Sequence, residues 1–259
     1  MPELTVERHS RTALLTLARP EARNSLTRGL VTGLTEALRM ASADKDVRCI
    51  VLAGAGENFC AGADLRRNFA EDPALLDKLD AYMDEYHALI GAIVRSSKPV
   101  LAMVDGCAVG FGADLALACD MRIVTPRAYV QEKFVKIGLM PDGGGTFWLP
   151  RLVGTARAME MILLAERVEG PKMVELGIAA RMVAPDELRK VTLAIAAEIE
   201  AGPPLAYAEI RRALYASWGD LEGALRRERE GQLKLLRSGD VMEGVAAWMQ
   251  KREPVFQGQ

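Results

Sequence analysis

The hydrophobic residues in the first half of the chain fall into short runs that are separated by turn residues. Residues 4–8 and 12–17 are β-prone and are joined by a polar turn at residues 9–11, which predicts a β-hairpin. Residues 49–53 and 100–104 are continuous apolar runs, a pattern typical of strands that are covered on both faces. The pattern therefore predicts a sheet with buried central strands.

Between these runs, apolar residues recur every three or four positions, which predicts amphipathic helices. One helix can begin after the cap residue Thr27, and its apolar stripe continues as far as Ala41. A longer stripe covers residues 73–94. A strand, a helix and a second strand in this order predict a right-handed parallel crossover, and a short helix over residues 110–118 before a β-prone run at 121–124 repeats the order. This alternation indicates an α/β fold.

The character of the chain changes after about residue 150, beyond which nearly every segment has helical periodicity. Residues 203–249 are predicted to form amphipathic helices broken at Gly219-Asp220 and Gly239-Asp240. We predict an α/β core over residues 1–200 and a helical region over residues 201–259. Such helices either pad their own domain or pack on a neighbouring subunit, and the pattern favours the two equally.

Composition and charge exclude several classes of protein. Half of the residues are hydrophobic and 26% are charged, which is typical of a globular chain. A formal net charge of −2 provides no overall field for a nucleic acid, so we expect no nucleic-acid partner. The N-terminal segment lacks a leader pattern and no run approaches the ~18 apolar residues of a membrane span, so we expect a cytoplasmic protein without a membrane partner.

Cysteines and histidines give no sign of a metal site. The four cysteines show neither Cys-x-x-Cys spacing nor the density of a disulfide scaffold, so we expect free thiols. His9 and His87 have no second ligand at helical spacing. We expect no metal, and surface or helix-face positions for both histidines.

Two glycine-rich loops, residues 54–64 and 105–114, follow the two buried strands. Ligands bind at the carboxyl ends of strands in open α/β sheets, and glycines let a ligand approach the backbone closely. One amide from each loop could form an oxyanion hole. A tight turn is the alternative for either loop alone. Neither loop has the Gly-x-Gly-x-x-Gly spacing or the Gly-Lys-Ser/Thr ending of a nucleotide site.

Four motifs resemble those of the enoyl-CoA hydratase/isomerase (crotonase) superfamily, in the same order. They occupy residues 59–65 (Phe-Cys-Ala-Gly-Ala-Asp-Leu), 110–120, 138–146 (Gly-Leu-Met-Pro-Asp-Gly-Gly-Gly-Thr) and 243–254, so the resemblance covers nearly the whole chain. It implies a spiral of strand-strand-helix units with a C-terminal helical trimerisation region. It also implies an acyl-CoA substrate that brings its own coenzyme A, no permanently bound cofactor, and a homotrimer or hexamer.

The resemblance implies a role for particular positions. The amides of Ala63 and Phe111 would hold the thioester oxygen, and Phe111 stands where many members have glycine. Arg23 resembles a basic residue that meets the coenzyme A phosphates. The other residues implied to line the coenzyme A path are Ala22, Ala61, Asp64, Leu65, Trp248 and Lys251.

The carboxylates indicate which reaction the resemblance implies. Hydratases of the family use two glutamates; the first position here holds Asp114 and the second holds Phe134, while Glu132 is expected to reach the site only if its loop shifts. Asp142 occupies a position where isomerase members carry an aspartate. Residues 137–154 look especially like the ring isomerases of phenylacetate degradation.

We therefore expect an isomerase in which Asp142 is the main proton shuttle and Asp114 is a second acid/base or orients the substrate. Burial among Phe134, Phe147 and Trp148 would raise the pKa values of both. The alternatives are a helix N-cap for Asp142 and a solvated first-turn position for Asp114. For the whole chain they are a 2-enoyl-CoA hydratase and a non-catalytic acyl-CoA-binding protein.

Overall fold

The computed structural model describes residues 2–71, 79–216, 238–250, 252 and 254–259. Its strands are β1 (Leu4–His9), β2 (Thr12–Leu17), β3 (Cys49–Gly54), β4 (Val100–Val104), β5 (Cys107–Val109), β6 (Met121–Val124), β7 (Tyr129–Gln131), β8 (Val168–Glu169) and β9 (Arg181–Met182). Its helices are α1 (Arg28–Ala43), α2 (Leu65–Glu71), α3 (Leu79–Val94), α4 (Phe111–Leu117), α5 (Gly145–Val153), α6 (Thr155–Leu163), α7 (Gly170–Glu175), α8 (Leu188–Ala201), α9 (Pro204–Ala216) and α10 (Gly239–Gln250), with 3-10 turns at Pro20–Ala22 and Phe134–Ile137.

Six strands form the larger sheet, in the order β1-β2-β3-β4-β6-β9. The antiparallel β1–β2 pair is the predicted hairpin, and β2, β3, β4, β6 and β9 run parallel to their neighbours. Each face of this sheet is covered by helices. In β3, Ile50 and Leu52 face the core beneath α1 and α3, whereas Cys49, Val51 and Ala53 pack with Leu188 and other residues of α8. This double burial explains the continuous apolar run.

A smaller sheet of β5, β7 and β8 lies beside the larger one. After each of β4 and β6 the chain adds a short strand to the smaller sheet and then turns into a helix: α4 follows β5, and the 3-10 turn at Phe134–Ile137 follows β7. The predicted α/β architecture of strand-strand-helix units is confirmed. Nearly every described segment after residue 150 is helical, as expected, and the two-residue strands β8 and β9 are the departures from this pattern.

The helix α9 is fastened to the core through Arg211. Its guanidinium donates to the main-chain oxygens of Ile93 and Ser96 and pairs with Asp120 at 2.7 Å. Asp120 also accepts from the amide of Val100 at 2.6 Å, at the start of β4. These bonds attach the beginning of the helical region to a central strand. The predicted boundary at residue 200 and the predicted trimerisation role of residues 201–259 remain predictions.

The predicted break at Gly219-Asp220 lies outside the described residues, as do positions 73–78 of the predicted helix 73–94. The described remainder of that helix is α3, and the predicted break at Gly239 is the start of α10. Within the described part of the chain, no helix has the length and apolar character needed to cross a membrane.

Candidate active site

The two glycine-rich loops meet at the carboxyl ends of β3 and β4. The amide of Cys60 donates to the main-chain oxygen of Cys107 at 2.9 Å, and the amide of Val109 donates to that of Cys60 at 3.0 Å. Cys60 and Ala108 thus form a parallel bridge. The two loops therefore face one another, as an oxyanion hole with one amide from each loop requires.

Glycine is required where the loops come closest. Gly62 has φ of +90°, and a β-carbon there would lie 2.7 Å from the main-chain oxygen of Val109 and 3.4 Å from the nitrogen of Phe111. The positive φ already disfavours a side chain, and the contact with a rigid backbone oxygen makes one more costly. Gly62 therefore lets the segment before Ala63 lie directly against the start of α4.

The amides of Ala63 and Phe111 have no acceptor among the described residues. The neighbouring amides are used: Asp64 donates to Leu26 at 2.9 Å, and Gly110 donates to Gln131 at 2.9 Å. Phe111 is the first residue of α4, where helical amides lack an intrahelical acceptor. Two main-chain donors from two touching loops therefore remain available to an oxygen of a ligand.

The carboxyl group of Asp114 is completely buried on α4, one turn after Phe111. Its Oδ2 accepts from the amide of Gly143 at 2.9 Å. Burial raises the pKa of Asp114 to about 7, the Gly143 amide opposes this shift, and the charge of Asp142 adds to it. The alternative of a solvated first-turn residue is therefore wrong.

Asp142 lies in the loop before α5 and is half-buried, with Oδ1 buried and without a hydrogen-bond partner in the described structure. Helix α5 begins at Gly145 after the cap residue Gly144, and no side chain caps it, so the N-cap alternative for Asp142 is wrong. Burial raises the pKa of Asp142 to about 6, while the nearby His87 lowers it. The side chain is thus available for proton transfer near neutral pH.

Of the three predicted aromatic residues, Trp148 contacts this loop directly. Trp148 is buried and donates from Nε1 to the main-chain oxygen of Gly143 at 3.3 Å. Phe147 meets Trp148 edge-on at 4.7 Å between ring centroids, and Phe134 is buried at the position where hydratases carry their second glutamate. The Trp148 ring therefore helps to keep water away from the loop that carries Asp142.

Glu132 lies in the site without any shift of its loop, which corrects the sequence-based expectation. Glu132 is only 2% exposed. If Gly145 carried a β-carbon, that atom would lie 2.8 Å from Oε1 of Glu132 and also 2.8 Å from Oδ1 of Asp114. Burial and the charges of Asp114 and Asp142 raise its pKa well above the ordinary value. No strand periodicity indicated this position, because β7 ends at Gln131 and a 3-10 turn begins at Phe134.

His87 is a second residue that the sequence did not place in the site. It is exposed on α3, as expected of a helix-face histidine, and its Nε2 lies 3.0 Å from the main-chain oxygen of Asp142. No local pattern could have found this contact, because the two residues are 55 positions apart.

The side chain of Phe111 fills the space between α3 and the Asp142 loop. Its ring meets Tyr86 edge-on at 4.7 Å, and a β-carbon on Gly143 would lie 2.9 Å from its Cε2. The hydroxyl of Tyr86 is hydrogen-bonded to Asn68 at 3.1 Å. The departure from glycine at position 111 therefore leaves the amide in place and adds a wall beside Asp114.

Five of the residues predicted for the coenzyme A path lie close together in the described structure. Ala22 ends the first 3-10 turn, and Arg23 follows it in the left-handed region with φ of 50°. The amide of Ala61 donates to the main-chain oxygen of Arg23 at 2.9 Å. Asp64 directly precedes Leu65, the exposed first residue of α2.

The carboxylate of Asp64 has structural partners that the sequence did not reveal. Its Oδ2 pairs with Arg19 at 2.9 Å and accepts from the hydroxyl of Ser25 at 3.2 Å, and its Oδ1 accepts from the amide of Arg67 at 3.1 Å. Asp64 therefore caps α2 and ties it to the end of the hairpin. Both carboxylate oxygens of Asp64, and its amide, which donates to Leu26, are therefore already engaged within the protein.

The two remaining predicted residues lie at the C-terminus. Trp248 belongs to α10, and its side chain is outside the described part of the structure. Lys251 also lies outside the described residues. Their predicted contact with the coenzyme A path stays a prediction.

Comparison with known proteins places this arrangement in a family. The sequence model of the enoyl-CoA hydratase/isomerase family matches residues 7–259. A protein of Rhodobacter capsulatus named "probable enoyl-CoA hydratase" is 40% identical over 247 residues, covering 95% of this chain and 94% of the relative. The 1,2-epoxyphenylacetyl-CoA isomerase of Escherichia coli is 35% identical over 246 residues, covering 94% of each.

Solved structures agree with these sequence relatives. The enoyl-CoA hydratase of Bacillus anthracis superposes with a TM-score of 0.93 at 28% identity, covering all of both chains. That of a Polaromonas species superposes with a TM-score of 0.92 at 31% identity, covering 98% of this chain and 99% of the other. The resemblance read from the four motifs is confirmed, and the chain is an enzyme that belongs to the enoyl-CoA hydratase/isomerase family, with the crotonase fold.

Proposed function

We propose that the protein is an acyl-CoA isomerase that shifts a double bond or ring bond of a thioester. In this proposal the amides of Ala63 and Phe111 stabilise the enolate oxygen, Asp142 is the main proton shuttle, and Asp114 is the second acid/base. The substrate brings coenzyme A, and no permanently bound cofactor takes part. We further propose a cytoplasmic homotrimer or hexamer, by analogy with the family.

One observation carries this proposal: Asp114 lies on the same helix turn as the available amide of Phe111, and the loop that carries Asp142 packs against both residues. A β-carbon on Gly143 would lie 2.6 Å from the β-carbon of Asp114, so the Asp142 loop rests on the first turn of α4. A group that removes a proton at one carbon and returns it at another works best when its pKa is close to the working pH. Burial raises the pKa of Asp142 to about 6 and that of Asp114 to about 7.

The isomerase role also fits the missing hydratase group. Addition of water across C2 and C3 uses two glutamates in the family, and Phe134 fills the second position. The likeness to 1,2-epoxyphenylacetyl-CoA isomerase supports the same choice. An isomerisation of that class needs a group that transfers a proton, and it does not need a second carboxylate at position 134.

Asp142→Asn tests the proposal. We expect kcat on 3-enoyl-CoA, dienoyl-CoA or 1,2-epoxyphenylacetyl-CoA to fall about 10²- to 10⁴-fold while KM changes little, because the amide keeps the shape of the side chain but cannot accept the proton. Asp84→Asn, at an exposed position on α3, is the matched control. Wild-type turnover by Asp142→Asn would refute the assignment of the base.

A 2-enoyl-CoA hydratase is the second candidate. It is supported by the 40% identical relative named as a probable enoyl-CoA hydratase and by Glu132, which supplies a second carboxyl group beside Asp114. Conversion of crotonyl-CoA to its 3-hydroxy product faster than any isomerisation would favour this role. Tight binding of a saturated acyl-CoA with no exchange of its α-proton for solvent deuterium would instead indicate a non-catalytic binding protein.

A further inference from the structure

Glu132 is a buried acid that the proposed proton transfer does not use. It follows β7, and neither of its carboxyl oxygens has a hydrogen-bond partner among the described residues. A buried carboxylate without a donor or counter-ion is strongly disfavoured, whereas the protonated acid is neutral and can donate one hydrogen bond. The environment of Glu132 therefore favours its protonated form.

Asp114 offers the acceptor that such a donor requires. Oδ1 of Asp114 is also buried and without a partner in the described structure. Oδ1 of Asp114 and Oε1 of Glu132 each lie 2.8 Å from the position of a β-carbon on Gly145, so they are at most about twice that distance apart. The β-carbon of Pro141 lies 3.0 Å from the same position. The two oxygens thus border one small space that exists because residue 145 has no side chain.

The surroundings of the two acids differ. Oδ2 of Asp114 accepts from the amide of Gly143 at 2.9 Å, and the amides of Asp142 and Gly145 also favour its ionised form. Glu132 has no comparable donor in the described structure. When two neighbouring acids share a proton, it resides on the group whose ionised form is less well solvated. Here that group is Glu132, and the negative charge belongs to Asp114.

The other charged groups around the pair do not offset two negative charges. Asp142 faces both acids from the loop before α5 and is itself acidic, and His87 on α3 acts on Asp142. Lys133 and Lys136 point to solvent from the segment that follows β7. Arg157 on α6 pairs with Glu160 and Glu166 at 2.6 Å each, and Arg151 on α5 donates to the main chain of Phe147. Neither Asp114 nor Glu132 forms an ion pair within the described residues.

We propose that Glu132 and Asp114 form an acid pair that holds one proton, with Glu132 as the hydrogen-bond donor and Asp114 as its ionised acceptor. Glu132 is then a positioning residue: it acts through Asp114, whose carboxylate it stabilises whenever Asp114 is ionised, that is, before Asp114 accepts a proton from the substrate and after it has returned that proton to another carbon. Glu132 keeps its own proton throughout, so no further proton source is needed. This inference rests on the proposed acid/base role of Asp114.

Infrared spectroscopy of the substrate-free protein tests the pair independently of catalysis. At about pH 8 we expect the wild type to show the carbonyl band of a protonated carboxylic acid that shifts in D2O and is missing from Glu132→Gln, because burial raises the pKa of Glu132 well above its ordinary value. Absence of this band from the wild type, or its persistence in Glu132→Gln, would overturn the proposal.

Kinetics then test whether Glu132 acts through Asp114. Glu132→Met removes the donor, so the pKa of Asp114 should rise, and the limb of the pH–rate profile with its midpoint near 7 should move up by about one pH unit. Glu132→Gln keeps an N–H donor at nearly the same place and should restore most of this shift. If Glu132 only filled space, neither variant would shift the limb of the pH–rate profile. The same midpoint in Glu132→Met and Glu132→Gln would therefore refute the positioning role.

If the infrared band is found but no isomerase activity exists, the acid pair stands and the proposed function fails.

Discussion

The imidazole Nε2 of His87 lies 3.0 Å from the main-chain oxygen of Asp142, so the surface of α3 touches the loop that carries the proposed proton shuttle. This contact links an exposed histidine to a partly desolvated carboxyl group. Burial raises the pKa of Asp142 to about 6, and the nearby His87 partly opposes that effect. The working pH range of the enzyme should therefore depend on a residue outside the reacting groups.

Replacing His87 with leucine should move the acid limb of the pH–rate profile to higher pH. Without the histidine, the ionised form of Asp142 is less stable, so its pKa rises further and less of the base is ionised at a given pH. We expect a rise of about half a pH unit to one unit in the limb on kcat/KM, a lower rate near about pH 5.5 and little change near about pH 8. His87→Gln should keep the contact with the loop but not the charge, and His9→Leu, on β1, is the control. If the acid limb did not move, its midpoint would not reflect the ionisation of Asp142.

Gly62→Ala should remove most of the activity. The added β-carbon would lie 2.7 Å from the main-chain oxygen of Val109 at a φ of +90°, so the two loops must move apart and the amides of Ala63 and Phe111 with them. Loss of one oxyanion donor costs about 10²- to 10³-fold in kcat, and we expect a loss in this range. Gly33→Ala is the matched control, since no atom lies within 4 Å of its β-carbon position in α1. Near-normal kcat in a folded Gly62→Ala protein would contradict the oxyanion-hole assignment.

Asp64→Asn should destabilise the protein in a pH-dependent way. Burial raises the pKa of Asp64, but the Arg67 amide, Arg19 and Ser25 outweigh this and hold the pKa below its ordinary value. The stabilisation from the ionised group is therefore present above its unfolded pKa of about 3.9 and is lost as the pH falls through the folded pKa.

Urea titrations should show the corresponding difference between the wild type and Asp64→Asn. We expect about 1–3 kcal/mol in the free energy of unfolding above about pH 5, shrinking toward zero below about pH 3. Glu169→Gln removes a surface pair with Arg167 whose two side chains are half exposed, and about 0–1 kcal/mol is expected there. A difference that did not vary with pH would show that Asp64 acts only as a neutral cap.

Arg211→Met should loosen the attachment of α9 to the core. Its guanidinium pairs with Asp120 and donates to the main-chain oxygens of Ile93 and Ser96, and only 7% of the side chain is exposed. Breaking such a buried pair costs about 3–5 kcal/mol because the remaining partners stay buried, and we expect a loss in this range by thermal or urea unfolding. Arg212→Met, at the next position, removes a half-exposed partner of Glu209 and should cost about 0–1 kcal/mol. Equal effects of both variants would disprove the anchoring role of Arg211.

Much of the fold could be predicted because burial leaves a regular trace in the sequence. The apolar run in β3 reflects helices on both faces, and the stripe from Leu30 to Ala41 reflects the one covered face of α1. Strands β8 and β9 have two residues each, which is too short for any periodicity. They form because neighbouring strands already present unpaired edges.

The site could be predicted only where it follows from local motifs. Asp114 and Asp142 each belong to a recognisable motif, and glycines mark the two loops, so the sequence predicts these parts of the candidate site. Glu132 lies between the end of β7 and the 3-10 turn that begins at Phe134, where no regular alternation of side chains indicates which residue faces the candidate site. The Arg19–Asp64 pair joins residues 45 positions apart, so it depends on tertiary contacts that no spacing encodes.

The amides proposed to hold the enolate oxygen belong to the main chain, which changes what mutagenesis can detect. A saturation screen at position 63 should tolerate serine or glycine as readily as alanine, since each retains the N–H. Proline is the informative exception, because its ring removes that hydrogen. An inventory of polar side chains would therefore overlook the groups on which the proposed chemistry depends, and backbone-directed replacements such as an ester linkage are the direct way to measure the contribution of each donor.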